Sequence, residues 1–178
     1  MSKLQSSKIG VLGGSFDPAH RGHLLITNFA IKKIKLKKVY WVITKKNPFK
    51  KKTFFSLKYR IKLAEKIIRK NKNIEVLYLD ALLKSTRSID IIKYMLKEYK
   101  IKNLYLIIGS DILLDFHKWK SWKKIVKLAK LVVFSRKGYD RKRKETIVVK
   151  YLKKNRIIFA KNKPIKASST ALRKKLNN

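Results

Sequence analysis

The chain has no cysteine among its 178 residues, which excludes a disulfide framework and a zinc site built on thiolates. It also has no apolar stretch near the roughly 20 residues that a membrane-spanning helix requires. The first eight residues are mostly polar, and no signal peptide is visible there. We therefore expect a cytoplasmic protein that does not associate with membranes, long enough to bury a core as one domain over residues 1–178.

Acidic residues are scarce: 10 Asp and Glu stand against 48 Lys and Arg, for a formal net charge of +38. Such an excess is typical of proteins that bind nucleic acids or anionic membranes. The lysines are spread over every helical segment, however, and are not confined to one patch. We interpret most of them as a solvated surface that attracts polyphosphate substrates in a salt-dependent way and binds no specific nucleic acid. A basic nucleic-acid-binding domain stays open as an alternative of a different class.

Short apolar segments alternate with amphipathic ones along the whole chain. The strands predicted are Lys8–Leu12, Val39–Thr44, Ile74–Tyr78, Leu104–Gly109, Leu131–Ser135 and Arg156–Phe159. The helices predicted are His23–Ile34, Ser56–Lys70, Ile89–Tyr99, Trp122–Ala129, Arg141–Lys154 and Ser169–Leu176. This alternation predicts an α/β fold, a Rossmann-like doubly wound parallel sheet with helices on both faces. In such a sheet, ligands bind at the carboxyl ends of the strands.

The segment after the first predicted strand, Gly13-Gly14-Ser15-Phe16-Asp17-Pro18-Ala19-His20-Arg21-Gly22-His23, is the most informative one. A buried strand breaks there into a glycine turn, and a helix follows within a few residues. His20 and His23 are three residues apart, so they are expected on one face of the first helical turn. Backbone N–H groups and the positive end of the helix dipole make this an anion site. The alternative is a capped helix with two surface histidines.

Three other strand ends carry polar residues. The second strand is followed by a basic loop with Lys46 and Lys50, which by itself is typical of exposed surface. Gly109 and Asp111 follow the fourth strand; Asp111 is suited either to a ribose hydroxyl or to capping the next helix. The aromatic residues just beyond, Trp119 among them, are predicted to pack in the core, with a base-stacking platform as the alternative.

A second candidate anion site lies at the start of the last predicted helix. Ser168, Ser169 and Thr170 supply adjacent hydroxyl groups, and Arg173 follows one turn later. Alone, the pattern is typical of a capped helix. Together with the histidine segment it predicts the second half of a clamp for a triphosphate.

The histidine segment resembles the nucleotidyltransferase superfamily, whose hallmark is G-x-F-D-P-x-H-x-G-H. Three further segments narrow the resemblance to the bacterial nicotinate-nucleotide adenylyltransferases: Asn47-Pro48-Phe49-Lys50, Gly109-Ser110-Asp111 with Phe116 and Trp119, and Ser168-Ser169-Thr170-Ala171-Leu172-Arg173. The likeness runs from Ile9 to Leu176. It implies adenylyl transfer from ATP to nicotinate mononucleotide, giving deamido-NAD and pyrophosphate in NAD biosynthesis, with Mg²⁺ arriving on the ATP and no metal held by protein ligands. It leaves a homo-oligomer open.

The resemblance also implies the roles of individual residues. The ATP-binding set is Gly14, Ser15, Phe16, His20, His23, Gly109, Asp111, Ser168, Ser169, Thr170 and Arg173, with His20 and His23 as the catalytic pair and His23 closest to the transferring α-phosphate. The set for nicotinate mononucleotide is Ser15, Phe16, Lys46, Lys50, Ser88 and Trp119, with Trp119 stacked on the pyridine ring.

The chain departs from the pattern at Thr86-Arg87-Ser88, where many relatives have a Tyr-Thr pair that contacts nicotinate. Ser88 keeps a hydroxyl group, but the aromatic partner is absent. Adenylyl transfer to nicotinamide mononucleotide, or to another phosphate-bearing nucleophile, therefore remains the alternative substrate assignment.

Overall fold

The computed structural model describes residues 7–45, 52–140, 143–162 and 169–176. Six strands form one sheet in the order β3-β2-β1-β4-β5-β6, and every neighbouring pair is parallel. The strands are β1 Lys8–Gly14, β2 Lys38–Ile43, β3 Ile74–Leu77, β4 Asn103–Gly109, β5 Lys130–Phe134 and β6 Ile157–Phe159. All six predicted strands and the parallel α/β fold are confirmed.

Eight α-helices are described: α1 Arg21–Ile34, α2 Leu57–Ile68, α3 Asp80–Leu83, α4 Ser88–Glu98, α5 Ser110–Asp115, α6 Trp122–Leu128, α7 Ile147–Tyr151 and α8 Ser169–Leu176. Short 3₁₀ turns occupy Phe116–Lys118, Arg143–Glu145 and Lys154–Arg156. None of the helices in these described segments is long and apolar enough to cross a bilayer.

The predicted long helix over Arg141–Lys154 is wrong in extent. Thr146 has an extended backbone (φ −66°, ψ 149°), and its hydroxyl accepts a hydrogen bond from Val149 N, so it caps α7 and separates it from the preceding 3₁₀ turn. Sequence reasoning also missed α3 and α5. Both are too short, at four and six residues, for helical periodicity to stand out.

Apolar side chains pack on both faces of the sheet, because successive residues of a strand point to opposite sides. In β4, Leu104, Leu106 and Ile108 belong to one buried cluster, whereas Tyr105 and Ile107 belong to the other. Helices α4, α5, α6 and α7 contribute buried residues to the first cluster, and α1 and α2 contribute to the second. The predicted helices on both faces are therefore confirmed.

The strand order reverses direction at β1, which pairs with β2 on one side and β4 on the other. The chain that follows β1 and the chain that follows β4 therefore turn to opposite faces of the sheet. A crevice opens between these two connections at the carboxyl ends of β1 and β4. This topology places the histidine turn after β1 opposite the segment that follows β4.

Candidate functional site

The two histidines cap the helix that they begin. His20 is the N-cap residue of α1, and its Nδ1 accepts a hydrogen bond from Gly22 N at 3.0 Å. His23 Nδ1 in turn accepts from His20 N at 3.2 Å, which completes a reciprocal capping box. Because both Nδ1 atoms are acceptors, each neutral imidazole carries its proton on Nε2. The structure thus presents two imidazole N–H donors to whatever lies beyond the helix end.

Aromatic packing holds the His23 ring in place. Its centroid lies 3.9 Å from that of His20 and 4.7 Å from that of Phe16, which stacks on the buried Trp41 at 5.2 Å. Thr27 connects α1 with β2: its hydroxyl donates a hydrogen bond to His23 O and accepts one from Trp41 Nε1, both at 2.8 Å. The predicted meeting of the two histidines on one helix face is confirmed.

Both histidines are uncharged at neutral pH in the free protein. Burial lowers the pKa of His23 to about 3, and the positive charges of Arg136 and of His20, once that ring is protonated, act in the same direction. Burial, with a smaller contribution from Arg136, lowers the pKa of His20 to about 4. An anion bound beside them would favour the protonated forms and raise both pKa values.

The loop between β1 and α1 is held by Arg60, a side chain of α2 that is only 1 % exposed. Its guanidinium donates to Ser15 O, to Thr44 O at 2.8 Å and to Lys45 O at 3.0 Å. Its Nε donates to Phe55 O at 3.2 Å. One buried cation therefore joins the loops that follow β1 and β2 to the start of α2.

Asp17 adds a second connection to the same region. Its carboxylate accepts hydrogen bonds from Phe54 N at 2.8 Å and Phe55 N at 2.9 Å. The Asp17 carbonyl accepts from Arg173 of α8, and Ser169 donates to Pro18 O at 2.9 Å. The C-terminal helix is thus docked directly on the histidine turn.

A cleft of about 650 Å³ opens at the carboxyl ends of β1, β4 and β5. The predicted site residues that line it are Gly14, Ser15, Phe16, His20, His23, Ser88, Gly109, Asp111, Trp119, Ser169 and Thr170. Arg173 is not among its lining residues; its guanidinium donates to Asp17 O and to Thr170 Oγ1 at 3.0 Å. Lys46, Lys50 and Ser168 lie outside the described residues.

Asp111 forms an ion pair with Arg136, and both residues line the cleft. It is not the N-cap residue of α5, which is Gly109, and α5 has no side-chain capping hydrogen bond. The carboxylate lies against the strand end: a Cβ on Gly109 would be 2.3 Å from Asp111 Oδ1. That oxygen is buried and has no hydrogen-bond partner among the described residues. Sequence reasoning missed Arg136, although its place directly after Ser135 at a strand end was a usable signal.

The aromatic residues after β4 divide between core and cleft. Phe116 is fully buried, and Trp119 stacks on it with centroids 4.8 Å apart. Trp119 is only half-buried and lines the cleft. Trp122 packs on Tyr151 at 5.0 Å and is not among the lining residues. Core packing is therefore confirmed for Phe116, whereas a stacking role for Trp119 stays a prediction.

The N-terminus of α4 forms another part of the cleft wall. Thr86, Arg87 and Ser88 all line it, and the N-cap residue Arg87 makes no side-chain capping bond. Within the described segments, no three His, Asp or Glu side chains come together as a group that could hold a metal ion.

Comparisons with known proteins agree with this geometry. A family model described as cytidylyltransferase-like matches residues 11–175. The chain is 45 % identical over 170 residues to a Pelagibacter ubique protein named "Probable nicotinate-nucleotide adenylyltransferase", covering 96 % of this chain and 94 % of the relative. It is 35 % identical over 164 residues to an Aquifex aeolicus protein of the same name, covering 90 % and 98 %. Its fold resembles that of a Plasmodium falciparum nicotinic acid mononucleotide adenylyltransferase complexed with NaAD, with a TM-score of 0.71 at 21 % identity, over 94 % of this chain and 83 % of that one.

Proposed function

The chain belongs to the cytidylyltransferase-like family, and on that premise we propose that it transfers the adenylyl group of ATP to nicotinate mononucleotide. The products are deamido-NAD and pyrophosphate, which makes the protein an enzyme of NAD biosynthesis. One observation carries the proposal: two uncharged histidines with free Nε2–H groups line the same cleft as the residues that follow β4 and begin α8. The relatives named above carry the choice of substrate.

The proposed reaction is an in-line displacement at the α-phosphorus of ATP. A phosphate oxygen of the mononucleotide forms the new P–O bond, and the bond to the bridging oxygen of pyrophosphate breaks. Because the attacking oxygen is already anionic, no general base is required. The protein then acts by positioning the two substrates and by stabilising negative charge as it shifts between oxygens.

The histidine pair is suited to that work. The Nε2–H groups of His20 and His23 donate hydrogen bonds to oxygens of the α- and β-phosphates. The N-terminus of α1 adds its partial positive charge. A bound polyanion raises the pKa of both imidazoles and so favours their protonated forms. The positive charge that they then carry stabilises the negative charge of the phosphates next to them. His23, which is held on more sides than His20, is proposed to face the α-phosphate.

The remaining residues are assigned to the substrates by their places in the cleft. Ser169 and Thr170, which line the cleft, are proposed to hold the β- and γ-phosphates. Ser168 and Arg173 are proposed to assist them on the resemblance alone. Mg²⁺ is carried in on the triphosphate as part of the substrate, since it keeps most of its bonds to phosphate and water.

The adenosine and pyridine ends lie further along the cleft. The unpartnered Asp111 Oδ1 supports a hydrogen bond from a ribose hydroxyl at Gly109 and Asp111. Trp119 is proposed to stack on the pyridine ring, with Ser88 and the backbone of Ser15 and Phe16 near it. Lys46 and Lys50 are proposed to contact the mononucleotide phosphate, on the resemblance alone.

The test is pyrophosphate release with ATP and Mg²⁺, with nicotinate mononucleotide and nicotinamide mononucleotide compared at one salt concentration. We expect turnover with a clear preference for the nicotinate form. Equal or reversed preference would keep adenylyl transfer and change the substrate. No turnover with either, together with salt-sensitive binding of a DNA or RNA duplex, would favour the nucleic-acid-binding alternative.

A further inference from the structure

We infer that Arg87 is the specificity-determining residue of the pyridine pocket, where its guanidinium recognises the nicotinate carboxylate and so selects the acid over the amide. The inference rests on the proposed function, since it concerns the same cleft and the same substrate. It starts from a difference in charge: nicotinate mononucleotide carries one more negative charge than its amide. A residue that separates the two must therefore meet that charge.

The cleft offers few cations for this purpose. Its Arg and Lys lining residues within the described segments are Arg87, Lys118, Lys120 and Arg136. Arg136 is paired with Asp111, and Lys118 Nζ lies 2.7 Å from the Asp115 carboxylate. The side chains of Arg87 and Lys120 have no hydrogen-bond or ion-pair partner among the described residues, so only these two cations are uncommitted.

Arg87 has the better surroundings of the two. It precedes Ser88, the first residue of α4, an eleven-residue helix whose N-terminus has no side-chain cap. A carboxylate beside Arg87 would meet the guanidinium, the Ser88 hydroxyl and the positive end of the helix dipole together. The acidic residue of this turn, Asp90, lies outside the cleft in an adjoining pocket that Arg87 also lines, and its Oδ2 accepts a hydrogen bond from Ser85 Oγ at 2.7 Å.

Apolar residues of α4 line the same cleft as the proposed stacking residue, Trp119. Ile91 and Ile92, one turn into α4, line the cleft and belong to the buried cluster against which Trp119 packs. A flat ring stacked on Trp119 would therefore lie in the same cleft as the first turn of α4. A planar guanidinium there can bind a carboxylate with two parallel hydrogen bonds, which a lysine ammonium cannot do.

This contact is remote from the reacting phosphates, so it stabilises the bound substrate and the transition state equally. Its loss should therefore raise KM for the acid and leave kcat nearly unchanged. The amide, which has no charge to pair with Arg87, should be affected little. Substitution should thus lower the acid-to-amide ratio of kcat/KM on the order of tenfold, the effect of one charged hydrogen-bonded contact.

The experiment measures kcat and KM for both mononucleotides with the wild type, Arg87→Gln, Arg87→Lys and Lys120→Gln. The matched control is Arg69→Gln, which removes the same charge from an exposed site at the end of α2. We expect the ratio to fall in Arg87→Gln through the KM of the acid, to be partly kept in Arg87→Lys and to stay at the wild-type value in Arg69→Gln.

The outcomes separate the two proposals. A wild type that is inactive with both mononucleotides contradicts the proposed function itself. An active wild type whose acid-to-amide ratio is unchanged in Arg87→Gln, or falls only in Lys120→Gln, overturns the role of Arg87 alone. Equal losses for acid and amide in Arg87→Gln also overturn it, because they indicate a structural role without specificity.

Discussion

At the scale of single residues, burial and packing fix the His23 ring as a neutral hydrogen-bond donor in the cleft. His23 lies under the rings of His20 and Phe16, with its Nδ1 used by the backbone and its carbonyl held by Thr27. A donor fixed in this way needs no reorganisation as charge develops on a phosphate, and preorganised donors account for a large share of enzymatic rate enhancement.

Replacing His23 by alanine should therefore lower turnover on the order of a hundredfold or more, with a smaller change in KM. Steady-state pyrophosphate release measures both. His117→Ala serves as the control, because the third histidine does not line the cleft and should keep turnover near the wild-type value. Near-normal turnover of His23→Ala would contradict the assigned role.

The lowered pKa of His23 also makes stability depend on pH. The unfolded imidazole titrates near 6.5 and the folded one at about 3, so between these values the unfolded chain binds more protons. The free energy of unfolding contributed by this group is complete above pH 6.5 and is lost as pH falls towards 3.

We expect His23 to account for ~2 kcal/mol of the stability lost between pH 7 and pH 4.5, after allowance for its partial exposure. Urea unfolding of the wild type and of His23→Gln at both pH values isolates this part, since the carboxylates titrate alike in the two proteins. Parallel pH profiles would mean that His23 is not held neutral by the fold.

At the scale of secondary-structure elements, the site is an assembly of loops held by side chains of two helices, α2 and α8. Arg60 of α2 joins the segments after β1 and β2 through four backbone carbonyl groups. Arg173 and Ser169 of α8 bond to the carbonyl groups of the histidine turn. Neither end of the site is therefore formed by a single element.

Arg60→Met should destabilise the fold by ~3 kcal/mol or more, because it leaves several partly buried carbonyl groups without donors. Urea unfolding compares it with Arg69→Met, which removes an exposed arginine at the end of the same helix and should change stability by ~0.5 kcal/mol or less. Similar losses in the two variants would show that the carbonyl network contributes little.

At the scale of the whole molecule, the net charge of +38 acts on stability and on substrate capture together. Ion pairs described in the structure are few and mostly at the surface, for example Lys38 with Glu75 and Lys118 with Asp115. Most of the positive charge is therefore met only by solvent and counterions, and the folded state repels itself.

Raising NaCl from 20 mM to 500 mM should increase Tm by about 5 °C or more, because the higher salt concentration limits the range of this repulsion to a few ångströms. Thermal unfolding followed by circular dichroism measures the shift, with an equal osmolality of sucrose as the control for non-ionic effects. A Tm that is flat in NaCl would indicate that the lysines are too far apart to repel significantly.

Local patterns in the sequence determined the strands of this protein and the histidine turn that follows β1. Apolar runs and their spacing predict all six strands, and the Gly-Ser-Phe-Asp-Pro…His-x-Gly-His segment predicts the paired imidazoles at a helix start, because a strand, a turn and a helical face are each set by neighbours in the chain. The same local order explains why Gly109, Asp111 and Trp119 could be expected at the cleft.

Only the tertiary structure decided what those residues touch. Arg173, expected beside phosphates, donates to the Asp17 carbonyl 156 residues away, and Arg136 meets Asp111 across 25 residues. The burial that keeps His20 and His23 neutral, the carbonyl network of Arg60 and the uncommitted charge of Arg87 all depend on which side chains other strands and helices bring near. Such long-range contacts leave no periodic trace in the sequence, because their energies depend on distance and burial in three dimensions.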